Sequence, residues 1–336
     1  MGLIERLLAH FGFHRQAAPA ARAAASLPAD LPTFEIFARP GHGRTSFLWA
    51  ALFMLRKLNV VWPDYLCWPQ DGATDEALKG ILQRVHEGLL PSRSAVVGSD
   101  AEGAADDGTE PEAMRFLLVL HKMERWGDKG LAVWDRADPV FSPPARDGRA
   151  VACNWTAPAF WLVSLADLAE VEIEFLDMLF DNLVLARVRQ GYGLRPKPFQ
   201  LVVVLTKADA IPNLPLALRT YLKDDPLWHA VSGEVTLATL RQGSPAAVLP
   251  LGPDQLKLYL GTLWRVHQEI QAWLDSTLSG HMLIRRAAEH HVELRFALIS
   301  ATGSGIASGQ SLAVPWCPRR VLDPLFWAFE LAAHSP

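Results

Sequence analysis

Phe34 to Leu48, FEIFARPGHGRTSFL, decides how the rest of the chain is read. Phe34, Ile36 and Phe37 predict a short, mostly apolar strand. Ala38, Arg39, Pro40, Gly41, His42 and Gly43 make a loop rich in glycine and proline. Arg44, Thr45 and Ser46 then open an apolar helical run, Phe47 to Leu58. Strand, glycine loop and helix start, in that order, suit an anion. Loop N–H groups can wrap a phosphate, and the helix N-terminus adds its positive end. The phosphate-loop pattern G-x-x-x-x-G-K-[ST] is met at Gly43 and Thr45, with Ala38 for the first Gly and Arg44 for the Lys. Gly41, His42, Gly43, Arg44, Thr45 and Ser46 are therefore candidate phosphate-binding residues. Alone, the stretch fits a plain glycine turn into a helix at least as well.

The chain has 336 residues, half of them hydrophobic, enough for one large domain or two small ones with a substantial core. A net charge of −4 gives no support for nucleic acid as a main partner. Cys67, Cys153 and Cys317 are far apart and odd in number, which suggests a reducing compartment and no disulfide framework. No apolar run reaches the roughly twenty residues that span a bilayer, and MGLIERLLAHFGFHR is too broken by charge for a secretory signal. A cytoplasmic protein without a transmembrane segment is expected.

Met1 to Gly12 reads as a short amphipathic helix, with Leu3, Ile4, Leu7, Leu8 and Phe11 on one side. Two roles fit it: packing on its own domain, or docking a protein partner. Little basic charge is there to hold a membrane. Gln16 to Leu31, rich in Ala and Pro, reads as a linker, so the division expected is 1–31 and then 32–336. Helices are expected over Thr45–Leu58, Asp75–Gly88, Ala166–Arg189, Asp254–Leu278 and Arg320–Ala333. Strands are expected over Arg115–Met123, Leu131–Trp134, Ala157–Leu165, Phe199–Leu205 and Val292–Ile299, with a further strand or turn over Trp62–Leu66. The first pair resembles a hairpin around Gly127-Asp128-Lys129-Gly130. Asp100 to Glu112 holds six acidic residues and no basic one, the composition of a solvated loop. Helix and loop over about 212–280 read as a helical insertion. Strands alternating with helices argue for an α/β fold, with a mostly parallel sheet and helices on both faces.

Three strand ends follow the glycine loop: Asp135-Arg136-Ala137-Asp138, Thr206-Lys207-Ala208-Asp209 and Ser300-Ala301-Thr302. Ligands of open α/β sheets sit beyond the carboxyl ends of the strands, so all four segments would face one crevice. This layout resembles the GTPase branch of the P-loop NTPases. Thr206-Lys207-Ala208-Asp209 matches that family's [NT]-K-x-D motif, and Ser300-Ala301-Thr302 its S-A-x element. The resemblance implies a three-layer P-loop fold that binds GTP or GDP. Asp209 would accept from guanine N1 and N2, Lys207 would lay its stem along the base, and the Ala301 N–H would reach O6. Within the superfamily the stretch Phe34–Ala333 looks most like the bacterial double-GTPase domains of multi-gene conflict or defence clusters. Without the family, Asp209 reads as a turn or cap residue and Asp135 as a strand-end turn residue.

The departures from the pattern bear on one phosphate. Arg44 keeps the charge of the usual Lys but is longer and planar. Asp138 stands where the family's D-x-x-G has Gly, placing a carboxylate near a triphosphate. Pro139 stands where small GTPases often carry the water-orienting Gln. Ser94 is the best-placed substitute for the switch threonine, and Thr45 and Asp135 are candidates for holding Mg²⁺ directly or through water. His281, His290 and His291 fit no zinc spacing and read as surface or capping residues. Trp155, Trp161, Trp264 and Trp273 read as core. Asp181, Glu172 and Glu174 read as a solvated helix face. Together these suggest a guanine-nucleotide-binding, GTPase-like regulatory subunit that serves as a switch or scaffold with protein partners, in which GTP hydrolysis is slow or absent. Two alternatives stay open: a pseudo-GTPase interaction module that binds no nucleotide, and an active GTPase that uses Arg44 as its loop cation.

Overall fold

Continuous apolar runs such as FQLVVVL can bury both of their faces only between two layers, and that requirement shapes the molecule. The computed structural model describes residues 33–39, 41–61, 65–69, 71–91, 114–120, 129–134, 159–171, 173–189, 199–232, 253–303 and 316–333. The strands are β1 (Thr33–Ala38), β2 (Tyr65–Pro69), β3 (Met114–Leu120), β4 (Lys129–Trp134), β5 (Ala159–Ser164), β6 (Phe199–Thr206) and β7 (Val292–Leu298). The helices are α1 (Arg44–Val61), α2 (Gly72–His86), α3 (Ile173–Arg189), α4 (Leu216–Lys223), α5 (Pro226–Ser232), α6 (Pro253–Asp275), α7 (Leu278–Glu289) and α8 (Asp323–Ala333).

The strands form one sheet in the order β2-β3-β4-β1-β5-β6-β7. β1 pairs in parallel with β4 and β5, and β5-β6-β7 continue in parallel. β3 is antiparallel to both neighbours, so the expected antiparallel pairing of β3 and β4 is present, but Lys129 and Gly130, expected in the turn, open β4 opposite Leu118 and Leu117. Every residue of β5 is buried, and every residue of β6 but Gln200. Side chains alternate between faces along a strand, so helices must cover both faces there. The molecule is therefore an α/β fold with a mostly parallel sheet between helical layers. α3 packs with α7, α1 with α2 and α5, and α8 with β6 and β7. Phe160, Phe180, Leu201 to Leu205, Leu298 and Ile299 are fully buried. Each such side chain contributes roughly 1.5–3 kcal/mol by leaving water.

Several boundaries differ from expectation. The edge strand is Tyr65–Pro69 rather than Trp62–Leu66. The helix expected from Ala166 is a short 3-10 turn, Asp167–Glu170, then an extended Val171 and a separate α3. The helix expected over Asp254–Leu278 stops at Asp275, and α7, not anticipated, starts at Leu278. The closing helix starts at Asp323, because Arg320 takes a positive φ of 58°. Trp161 is core as expected, but Trp264 is 40% exposed. The terminal helix and linker over 1–31, the acidic loop 100–112, Trp155 and the Glu172 side chain lie outside the described residues.

Candidate functional site

The strand order turns around at β1: the chain leaves it for the β2–β4 side and returns past it to β5. A sheet opens a crevice beyond its strand ends at such a point, and the glycine loop sits there. Gly41 and Gly43 take φ of 88° and 84°, the left-handed region that favours glycine. Gly41 faces open space, and a Cβ on Gly43 would stand 3.9 Å from Thr206 Oγ1. The first helical bond of α1 runs from the Phe47 N–H to Gly43 O at 2.8 Å, so the N–H groups ahead of it have no partner within the helix. No acidic residue stands in that first turn to repel an anion. Arg44, Thr45 and Ser46 are half-buried there.

The loop is held from behind. The Arg39 guanidinium lies 3.8 Å from the centre of the Phe175 ring. His42 is 8% exposed, so its side chain faces the fold rather than the crevice. Its Nδ1 lies 3.4 Å from Leu162 O and its Nε2 3.5 Å from Asp167. Burial lowers its pKa below the usual 6.5, the Leu162 carbonyl and Asp167 oppose that drop, and Lys207 and Arg39 add to it. The Thr206 hydroxyl donates to His42 O at 2.8 Å and lies 3.3 Å from Val163 O. Thr206 is buried, and so acts as a pin on the loop. Lys207 takes φ 57° at the end of β6, and Lys207 and Asp209 are exposed.

The remaining strand ends close on the same place. The Leu165 N–H bonds Thr206 O at 3.0 Å, and the Ala208 N–H bonds Ile299 O at 3.2 Å. Ser300 is buried and pairs with Arg319 in a two-way bridge, while its hydroxyl accepts the Gly303 N–H at 3.0 Å. The Ala301 N–H has no hydrogen-bond partner among the described residues. Residues 41–46, 206–209 and 300–302 are thus joined through the ends of β5, β6 and β7. Ser94, Asp135, Asp138 and Pro139 lie outside the described residues. Of the two Mg²⁺ candidates only Thr45 is therefore placed, in the first turn of α1, where its single hydroxyl would suit an ion that keeps most of its waters.

Sequence reasoning did not single out Ser164 or Asp167. Ser164 stands opposite Thr206 in register, wholly buried, and its hydroxyl has no partner among the described residues. Its signal was only a polar residue closing the apolar run APAFWLVS. His281 is exposed beside Asp275, and His290 ends α7 between Asp177 and Asp181. Glu174 and Asp181 are exposed. An open concavity lies along α6, lined by Lys257, Leu258, Gly261, Thr262 and Arg265, none of them a strand-end residue. Among the described residues no three His, Cys, Asp or Glu side chains gather as a metal site, and no helix is long and apolar enough to cross a membrane.

No family model matches the chain, and no curated protein does. Among solved structures it is similar to the signal recognition particle receptor SRb-GTP/SRX complex from Chaetomium thermophilum. The identity is 10%, the match covers 84% of this chain and 96% of that one, and the TM-score is 0.29. A likeness of that size implies neither a shared fold nor a shared ligand.

Proposed function

We propose that the chain binds a guanine nucleotide in the crevice at the end of β1, in the manner of a GTPase-like P-loop protein. The observation that carries this reading is the bond from the Thr206 hydroxyl to His42 O at 2.8 Å. It joins the loop suited to phosphates to the turn suited to a base. A nucleotide needs both within its own length. The positive φ of Gly41 and Gly43 and the acid-free start of α1 favour phosphate on one side. Exposed Asp209 and the Ala301 N–H, which has no partner among the described residues, favour the 6-oxo, 2-amino pattern of guanine on the other.

Regulation rather than fast turnover fits the sequence on this reading. Arg44 replaces the point charge that normally meets the outer phosphates. Asp138 and Pro139 stand where the family pattern has its γ-phosphate glycine and its water-orienting residue. The protein then acts as a switch or scaffold for protein partners, with slow or no GTP hydrolysis.

Calorimetry with GDP, GTP and ADP, on the wild type and on Asp209→Ala, tests the reading. GDP is expected to bind more tightly than ADP. Asp209→Ala is expected to weaken GDP by about 10- to 100-fold, the worth of hydrogen bonds to a carboxylate. Equal affinity for the two bases, or an Asp209→Ala protein with unchanged GDP binding, would refute it. Absence of all nucleotide binding would favour a pure interaction module.

A further inference from the structure

Behind the Ser300–Gly303 turn lies a buried charged cluster that nucleotide binding does not use directly. Arg320 is 4% exposed and holds φ 58°, a conformation that side chains with a Cβ avoid. Its backbone N–H donates to Asp225 Oδ2. Its guanidinium donates to the carbonyls of Tyr221 and Asp224 and lies 3.7 Å over the Tyr221 ring. The other oxygen of Asp225 accepts the N–H groups of Leu227 and Trp228, at 2.9 and 3.1 Å, and so caps α5. Asp323, wholly buried, accepts the hydroxyls of Tyr221 on α4 and Tyr259 on α6. Four helices are thereby fastened around residues 320–323. A strained backbone persists only where its surroundings over-determine it.

The residues just before Arg320 carry that constraint to the crevice. The Ser300 N–H bonds Arg319 O at 3.1 Å, the Arg319 N–H bonds Ser300 O at 2.8 Å, and the Cys317 N–H bonds Thr302 O at 2.9 Å. The packing is tight: a Cβ on Gly303 would stand 1.8 Å from Cys317 O. We propose that the Asp225–Arg320 pair is the positioning element of the Ser300–Gly303 turn, setting where the Ala301 N–H stands and so how the 6-position of a purine is read. The claim about the base rests on the guanine reading above; the claim about the turn does not.

Asp225→Asn keeps an oxygen for the α5 cap but removes the charged acceptor facing the Arg320 N–H. Tyr259→Phe is the control, because it removes a hydroxyl from Asp323 while keeping the ring that lies 5.6 Å from the Arg320 guanidinium, and it leaves every hydrogen bond of Arg320 and of the turn in place. Hydrogen exchange on the full-length protein is expected to show a loss of protection of at least about tenfold at the amides of Ser300, Gly303, Cys317, Arg319 and Arg320 in Asp225→Asn. The centre of β6, Val202–Val204, should keep its protection in both variants, and Tyr259→Phe should keep it in the turn. In binding, the ratio of GDP to ADP affinity should fall by about tenfold in Asp225→Asn, through weaker GDP alone, and stay unchanged in Tyr259→Phe. Wild-type protection at Ser300 and Gly303 in Asp225→Asn, or equal loosening in the two variants, overturns the proposal. A wild type that does not prefer GDP overturns the guanine reading, while exchange still decides whether the pair positions the turn.

Discussion

A histidine with little access to water sheds its proton, unless a partner compensates for the lost hydration. His42 is in that position, and burial outweighs the help of the Leu162 carbonyl and Asp167. Its folded pKa is lowered, so the unfolded chain takes up the proton first. The stability His42 contributes is present above pH about 6.5 and is lost as pH falls below it. His42→Ala is expected to cost roughly 1–3 kcal/mol near pH 8, from a buried ring and a lost bond to Leu162. Urea denaturation should show that gap narrowing at pH 5.5; a gap that widens there would mean that Asp167 holds the ring charged. The sequence showed that His42 lies in the loop but not that its side chain is buried against the fold. That orientation depends on Leu162 and Asp167, whose nearness only the β1–β5 pairing creates. Thr206 was expected in a motif that would read a base, and the structure shows its hydroxyl donating to the loop at His42 O.

Helix ends carry the same lesson at the scale of the element. The end of α2 at Gly88 was readable because that signal is local in sequence, whereas its start was placed at Asp75, three residues after the true one at Gly72. The Asp71 carboxylate accepts the Thr74 N–H at 2.6 Å, and Gly88, at φ 71°, ends the helix with its N–H on Val85 O and the Leu89 N–H on Arg84 O. The α6–α7 corner was misread because apolar residues continue across it, from Ile270 and Leu274 to Leu283 and Ala287. The break comes from Thr277, whose hydroxyl donates to Leu274 O at 2.8 Å and accepts the Gly280 N–H at 3.2 Å. A short polar cluster, Asp275-Ser276-Thr277, was the signal available for it. Thr277→Ala should cost about 1 kcal/mol, the usual worth of such a cap. Gly280→Ala should cost more, because its Cβ would meet Leu274 O at 2.2 Å. Urea midpoints of the two variants test this ordering; a neutral Gly280→Ala would show that the corner can open without penalty.

Across the whole molecule, two buried groups pull the pH dependence of stability in opposite directions. Asp323 is pushed up to about 7, first by burial and further by Asp225, against Arg320 and the hydroxyls of Tyr221 and Tyr259. The folded state therefore keeps that proton longer than the unfolded one, and stability from this source falls as pH rises from about 4 to about 7. His267, which accepts the Phe296 N–H at 3.2 Å, is lowered to about 4 by burial and then by Arg295, so its contribution is lost as pH falls from about 6.5 to 4. The two slopes offset each other in the wild type. Asp323→Asn removes one of them, and its stability deficit relative to wild type should shrink with rising pH, by at most about 1.4 kcal/mol per pH unit. Denaturant midpoints at pH 5, 6 and 7 measure it; a constant deficit would show that Asp323 ionises freely. The alternation of strands and helices was legible at this scale because apolar runs and turns are local, whereas the sheet order and the Arg320 cluster depend on pairings that no local pattern records. The bond that pins the loop joins residues 164 apart, and the turn opposite is held by residues as late as Arg320. During synthesis from the N-terminus, the loop thus leaves the ribosome long before anything exists to hold it. A nascent chain cannot join the ends of β5, β6 and β7 until nearly all of the sheet has emerged, so a chain released short of Arg319 lacks the residue that pairs with Ser300 and leaves that turn unheld.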